Sequence, residues 1–158
     1  METRDLGLIL TNVLLAAALV LLSVSLLLDA GQGSVEDGRR ELLESRQAST
    51  WKFAQGETQG DVVWDPSRQE GYLRFRDLPA NDPKATQYQL WILDGKRDTR
   101  YPVDGGVFDI PAGREEVIIR IRAKLPVREA TAFVITVERP GGVVVSDRKK
   151  IAALAKRD

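Results

Sequence analysis

From residue 50 onward, apolar and polar positions alternate in short runs broken by turn residues about every ten positions, the rhythm of an antiparallel sandwich or barrel. The runs are "TWKFA", "DVVWD", "GYLRFRDL", "QYQLWILD", "GVFDI", "EVIIRIRAKL", "TAFVITVER" and "GVVVSD". They predict an all-β domain over residues 51–147, an antiparallel β-sandwich of about seven or eight strands. In "GYLRFRDL" Leu73 and Phe75 share one face and Arg74 and Arg76 the other. Val117, Ile119 and Ile121 likewise oppose Arg120 and Arg122. One wet face with period two is what a half-buried strand requires. "QLWIL" is apolar on both faces, which places it centrally, with Tyr88, Leu90 and Ile92 toward one side and Trp91 and Leu93 toward the other. Asp94-Gly95, "DGG" at 104–106 and "RPGG" at 139–142 supply residues for tight connections, and "PGG" is expected to join "FVITVE" to "VVVSD" as a hairpin. The end, "RKKIAALAKRD" at 148–158, is expected as a short basic helix or a frayed tail.

The N-terminal pattern is different. Residues 7–28, "GLILTNVLLAAALVLLSVSLLL", form an uncharged run between Asp5 and Asp29. As a helix it would span about 33 Å, close to the ~30 Å hydrocarbon core, and it predicts a single transmembrane helix after a short tail at 1–6. A cleaved signal peptide would be shorter, with basic residues before it and a small-x-small site after it, and neither "METRD" nor "LLDA" provides those. Asn12, Ser23 and Ser25 lie within the run, and Ala16, Ala17 and Ala18 would permit a close helix approach and a homodimer. Residues 29–50 divide into a glycine-rich juxtamembrane linker, "DAGQGSVEDG", and a short stalk helix, "RRELLESRQAS". Arg39, Arg40 and Arg46 follow the span while Arg4 alone precedes it, a count that favours a cytoplasmic C-terminal domain.

Composition narrows the chemistry. Lys plus Arg and Asp plus Glu number 23 each, so no overall field steers the chain onto nucleic acid. There is no cysteine or histidine, which removes disulfides, thiolate or imidazole zinc sites and every Cys- or His-based mechanism. Asp94, Asp98, Asp104 and Asp109 lack the alternate spacing and final glutamate of a calcium loop. Lys96 lacks the glycine run and following Ser or Thr of a phosphate loop. No catalytic, metal or cofactor residue is nominated. Arg74, Arg76, Arg120 and Arg122 could line a basic stripe, but interspersed acids favour a solvated sheet face. Among the aromatics, Trp51 and Tyr101 are candidates for exposed binding positions, which would suit a tethered polysaccharide- or peptide-binding module.

The order of an apolar helix, a linker, "VVWD" with Trp64, "GYLRFRDLP" ending on Leu78 and Pro79, "YQLW" at 88–91, "GGVF" at 105–108 and "TVERPGG" at 136–142 resembles the C-terminal domain of anti-sigma-K factors, the RskA type. The residues carrying the resemblance are Trp64, Leu78, Pro79, Tyr88, Gln89, Leu90, Trp91, Gly105, Gly106, Val107, Phe108, Thr136, Val137, Glu138, Pro140, Gly141 and Gly142. What the resemblance implies is a non-enzymatic, single-pass protein of the bacterial cytoplasmic membrane with its sandwich outside the cytoplasm, against the arginine count. Its partners would be a sigma/anti-sigma component or an envelope protease, and its role the regulation of transcription through interaction and regulated proteolysis. The cytoplasmic sigma-binding domain of that family is expected to be missing here, because only "METRDL" precedes the apolar run.

Overall fold

The computed structural model describes residues 3–54 and 58–156, with the backbone alone for 3–12 and 25–33. One helix, α1 (Thr3–Leu43), precedes eight strands: β1 (Ser49–Lys52), β2 (Gln59–Asp65), β3 (Glu70–Arg76), β4 (Gln87–Asp94), β5 (Val103–Phe108), β6 (Glu116–Arg120), β7 (Ala130–Glu138) and β8 (Ile151–Lys156). The chain divides into two compact units, Met1–Ser34 and Val35–Asp158.

In the second unit the strands form two four-stranded antiparallel sheets, A in the order β1-β2-β3-β6 and B in the order β5-β4-β7-β8. The inward faces interdigitate around Trp64, Leu73, Phe75, Leu90, Ile92 and Phe133. Burying each such side chain stabilises the fold by roughly 1.5–3 kcal/mol. The alternation of "GYLRFR" and the doubly apolar "QLWIL" are realised as expected, with β4 central in its sheet. The edges are also managed. Ala54 N donates to Leu154 O across the β1/β8 side (2.9 Å), and residues 121–124 cross to the β5 side, where Arg122 N and Lys124 N donate to Gly105 O and Asp104 O. Covered edges leave few free backbone groups for pairing with another chain.

The last strand departs from expectation. "GVVVSD" is a loop that leaves Val144 93% exposed, whereas "IAALAK" in the supposed basic tail forms β8 and pairs with β7, Phe133 facing Ala155 and Val134 facing Leu154. Alanine is a strong helix former, but at 153 and 155 its small side chain fits fully buried positions beside the aromatic core. The "PGG" turn therefore opens a long connection between β7 and β8 in place of a tight hairpin. "DGG" differs too, since it lies inside β5, where Gly105 is the extra residue at a register shift against Leu90 and Trp91. A Cβ at Gly105 would sit 2.4 Å from Leu90 Cδ2, so this bulge requires glycine.

The expected linker is helical, and the stalk helix is the end of α1 only as far as Leu43, the rest of it being a turn that leads into β1. Glycines in a helix cost about 1 kcal/mol each, but the segment extends helix that already exists and avoids a new nucleation. Among the described residues no helix is long and apolar enough to cross a membrane. Of the expected span, residues 7–12, including Asn12, and 25–28, including Ser25, lie outside the described side chains. Within 13–24, Ser23 Oγ donates to Val20 O at 2.8 Å and is satisfied inside the helix.

Candidate functional site

Two constellations shape the outer faces of the sandwich, one on each sheet. On sheet A the end of α1 docks through Val35 and Leu42, joined by Ala48 of the turn that follows, against Val63, Tyr72 and Ile118. Val35 and Leu42 are seven positions apart and so share a helix face. Gly38 sits where any Cβ would be 2.3 Å from Tyr72 Oη, so the helix approaches the sheet there only because residue 38 is glycine. Beside it Asp61, 7% exposed, accepts from Arg39 of α1 with one oxygen and from Arg74 of β3 with the other. The Nε atoms of both arginines are buried without a hydrogen-bond partner. Among the described residues Asp61 is the carboxylate that both guanidiniums share, Arg39 largely buried and Arg74 half-buried, and removing it would take the partner from each.

At the next turn Ser45 Oγ donates to Asp65 Oδ2 (2.5 Å), while Asp65 Oδ1 accepts from Ser67 N, Ser67 Oγ and Arg68 N. Burial alone would raise the Asp65 pKa. The donors from Ser45, Ser67 and Arg68 outweigh it and hold the group at about 2. Arg68 also reaches Glu41 of α1 at 3.0 Å. The expected solvated arginine face forms only in part: Arg76 pairs with Glu116 and Arg120 with Glu70 near solvent, whereas Arg74 is half-buried against Asp61 beside α1 and Arg122 lies past β6, on the side of β5.

On sheet B the loop between β7 and β8 is clamped against the outer face. Gln89, 1% exposed, accepts from Val143 N with Oε1 (2.9 Å) and donates through Nε2 to Val143 O (3.1 Å). Gln87 Oε1 accepts from Gly141 N at 2.8 Å. Trp91 Nε1 donates to Thr136 Oγ1, Thr136 Oγ1 to Glu138 Oε1, and Ser146 Oγ to the same carboxylate oxygen. Gly141 and Gly142 turn the loop at φ of 82° and 73°, and a Cβ at Gly142 would meet Val107 Cγ2 and Gln89 Oε1. The structure therefore brings Gln89, Trp91, Val107, Thr136, Glu138, Gly141 and Gly142 into one loop-holding arrangement, with Pro140 in its first turn. Val137 lies beside the core, and its N–H donates to Lys150 O at 3.0 Å as the loop returns.

The remaining motif residues are core pieces. Tyr88 Oη donates to Pro79 O at 2.9 Å, and its ring stacks on Phe108, which stacks on Phe75. Leu78 and Leu90 are buried beside them, Gly106 adopts φ 109° in the bulge, and Trp64 packs against Phe133 from sheet A. Of the two proposed binding aromatics, Trp51 is buried, edge-on to Phe133 with centroids 5.2 Å apart. The strand's outward rhythm is read correctly only when sheet A is placed over sheet B. Tyr101 is exposed, with the Arg100 guanidinium 5.7 Å from its ring centre. It is the exposed aromatic among the described residues, so the paired platform a sugar module needs does not form.

Sequence reasoning missed Asp61, Gly38, Tyr72 and the Asp65 hub. The one signal was the Val35/Leu42 spacing, a helical period hidden among glycines and charges. Asp94, one of the four acids compared with a calcium loop, caps the turn after β4. Burial opposes its ionisation, but the N–H groups of Arg128, Lys96 and Glu129 more than compensate and lower its pKa.

The geometry defines an antiparallel β-sandwich carrying a docked helix on one sheet and a clamped loop on the other. The family described as anti-sigma-K factor RskA, C-terminal, matches residues 13–147, most of the chain. The chain belongs to that family, and membership implies a role of anti-sigma-factor type with a sigma factor as interaction partner. No curated protein and no solved structure matches it significantly. The family match ends at Asp147, four residues before β8 begins, so sheet B is completed by chain that lies beyond it.

Proposed function

We propose that this chain is a membrane-anchored, non-enzymatic sensory domain of anti-sigma-factor type, held on the outer side of a bacterial cytoplasmic membrane, that acts by protein interaction and regulated proteolysis. The observation that carries the reading is the family match, which begins at Val13 in the apolar helix and runs through the sandwich. Within that helix Leu14, Leu15, Leu19, Leu21 and Leu22 are all more than half exposed, on several sides of the same cylinder. An apolar surface all round a helix suits lipid and is unfavourable in water.

Regulation follows from the docked end of α1. A protease needs a segment it can unfold, and residues 35–43 are helical and held by Leu42, Arg39 and Gly38. A signal that displaces this helix from sheet A would release it as a substrate. Pulse-chase of the full chain in its host, with and without envelope stress, tests this part: a chain that is never cut refutes it. A periplasm-active reporter fused after Asp158 tests the orientation, and activity confined to the cytoplasm would reverse it.

A further inference from the structure

The loop that the sandwich holds most carefully ends in two side chains that it leaves in water. Val144 is 93% and Val145 67% exposed, immediately after Val143, whose N–H and C=O are both bound by buried Gln89. On the far side Ser146 is tied to Glu138. The valines are thus presented by fixed anchors on both sides. Residues 139–150 carry Arg139, Arg148, Lys149 and Lys150 against a single acid, Asp147, which pairs with Lys149. Arg139 borders two grooves that flank the loop, one of about 480 Å³ with Lys124 and Val144, the other of about 380 Å³ with Lys149 and Lys150. An apolar tip within a cationic rim matches an anionic lipid surface, where apolar side chains enter the interface and basic ones meet the headgroups.

Position supports the same occupant. From Arg39 at Asp61 to Ser45 at Asp65, the end of α1 and the turn after it run alongside β2 in the same direction, so Val35 lies toward Gln59 and its partner Arg76. Phe75, Phe108 and Tyr88 stack at that level, and the neighbouring Gln87 is opposite Glu138, where the loop begins. The chain therefore comes into this unit at the end from which the loop springs. Asp104 lines the first of the two grooves flanking the loop and Glu138 and Asp147 the second, each beside more basic neighbours or already hydrogen-bonded, and Asp109 accepts from Gln87; Asp77, Glu115 and Glu116 border a separate groove beside Arg76.

We propose that residues 139–150 form a membrane-docking loop that sets Val144 and Val145 into an anionic bilayer surface, with Lys124, Arg139, Lys149 and Lys150 against its headgroups. The inference rests on the membrane-anchored reading. Docking would hold the sandwich against the membrane and place the Gln89 clamp between lipid and core.

The chain has no cysteine, so a single Val144→Cys takes an environment-sensitive fluorophore without background. The labelled full chain is reconstituted in vesicles of phosphatidylcholine alone and of phosphatidylcholine with phosphatidylglycerol, and Lys96→Cys at the opposite end of β4 serves as the control. The expected result is a blue shift and protection from an aqueous quencher at 144 only with phosphatidylglycerol, reversed by salt and absent at 96. Combining Arg139→Glu, Lys149→Glu and Lys150→Glu should weaken docking by more than about tenfold, since each basic residue near such a surface is worth roughly a factor of five. Insertion into both vesicles with water-like emission at 144 in both overturns the docking loop and leaves the anchor standing. Failure to insert overturns the anchor and the loop together. An equal shift in phosphatidylcholine alone refutes the charge-based recognition, and a shift produced there only by an added acidic peptide would replace the lipid with a protein partner.

Discussion

At Gly38 the absence of a side chain decides whether the helix can lie on the sheet. Alanine would favour the helix by about 1 kcal/mol in isolation, but its Cβ would press on a tyrosine that is itself 3% exposed. Gly38→Ala is expected to lower stability by about 1–2 kcal/mol, and Tyr72→Phe in the same chain to recover part of that loss, seen as a coupling in a double-mutant cycle by urea unfolding. Asp61→Ala leaves two guanidiniums without their carboxylate, and a loss of about 3 kcal/mol is expected in the same measurement. Asp65 predicts the acid behaviour. Its folded pKa, about 2, lies below the ordinary 3.8, so the unfolded chain binds the proton more readily. The stability it contributes is complete above about pH 4 and falls away as pH drops toward 2. Asp65→Asn should flatten the acid limb of a stability-against-pH curve, and an unchanged limb would contradict the hub.

Among the elements, β8 and the loop before it carry the sharpest expectations. A chain ending at Asp147, where the family match stops, loses β8 and exposes β7 along Phe133 to Ile135. It is expected to lose cooperative thermal unfolding and to become protease-sensitive. Gln89→Leu removes both bonds to Val143, and the expected effect is a loss of about 2 kcal/mol with faster amide exchange in 141–146 and little change in α1. Seven strands were legible because their alternation is written in Val, Ile, Phe and Trp, although "EVIIRIRAKL" stays a strand only to Arg120, after which the chain crosses to β5. β8 was not, since "IAALAK" has a helical composition and becomes a strand only where Ala153 and Ala155 fill narrow places opposite β7. Tyr88, Leu90 and Trp91 were recognised as central, while the service of Gln89 as a loop clamp had no signature of its own.

In the whole molecule the two outer faces do different work. Sheet A carries the segment that joins the sandwich to the apolar helix, and sheet B carries the loop that reaches outward. If release of α1 governs processing, Asp61→Ala should raise the cleavage rate of the full chain in its host severalfold, and Gln89→Leu, of comparable instability but remote from α1, should not. Equal acceleration by both would reduce the effect to general unfolding. The sequence by itself determined the sandwich, the central strand, the absence of Cys and His chemistry and the family, because periodicity, composition and ordered motifs are local properties. Only the tertiary structure decided that the supposed linker is helical and that α1 docks from Val35 onward, that the tail is a strand, and that Trp51 is core. Each of those depends on which distant surface a segment meets, and a Gly38 against Tyr72 or an Asp61 between two arginines exists only after the chain has folded.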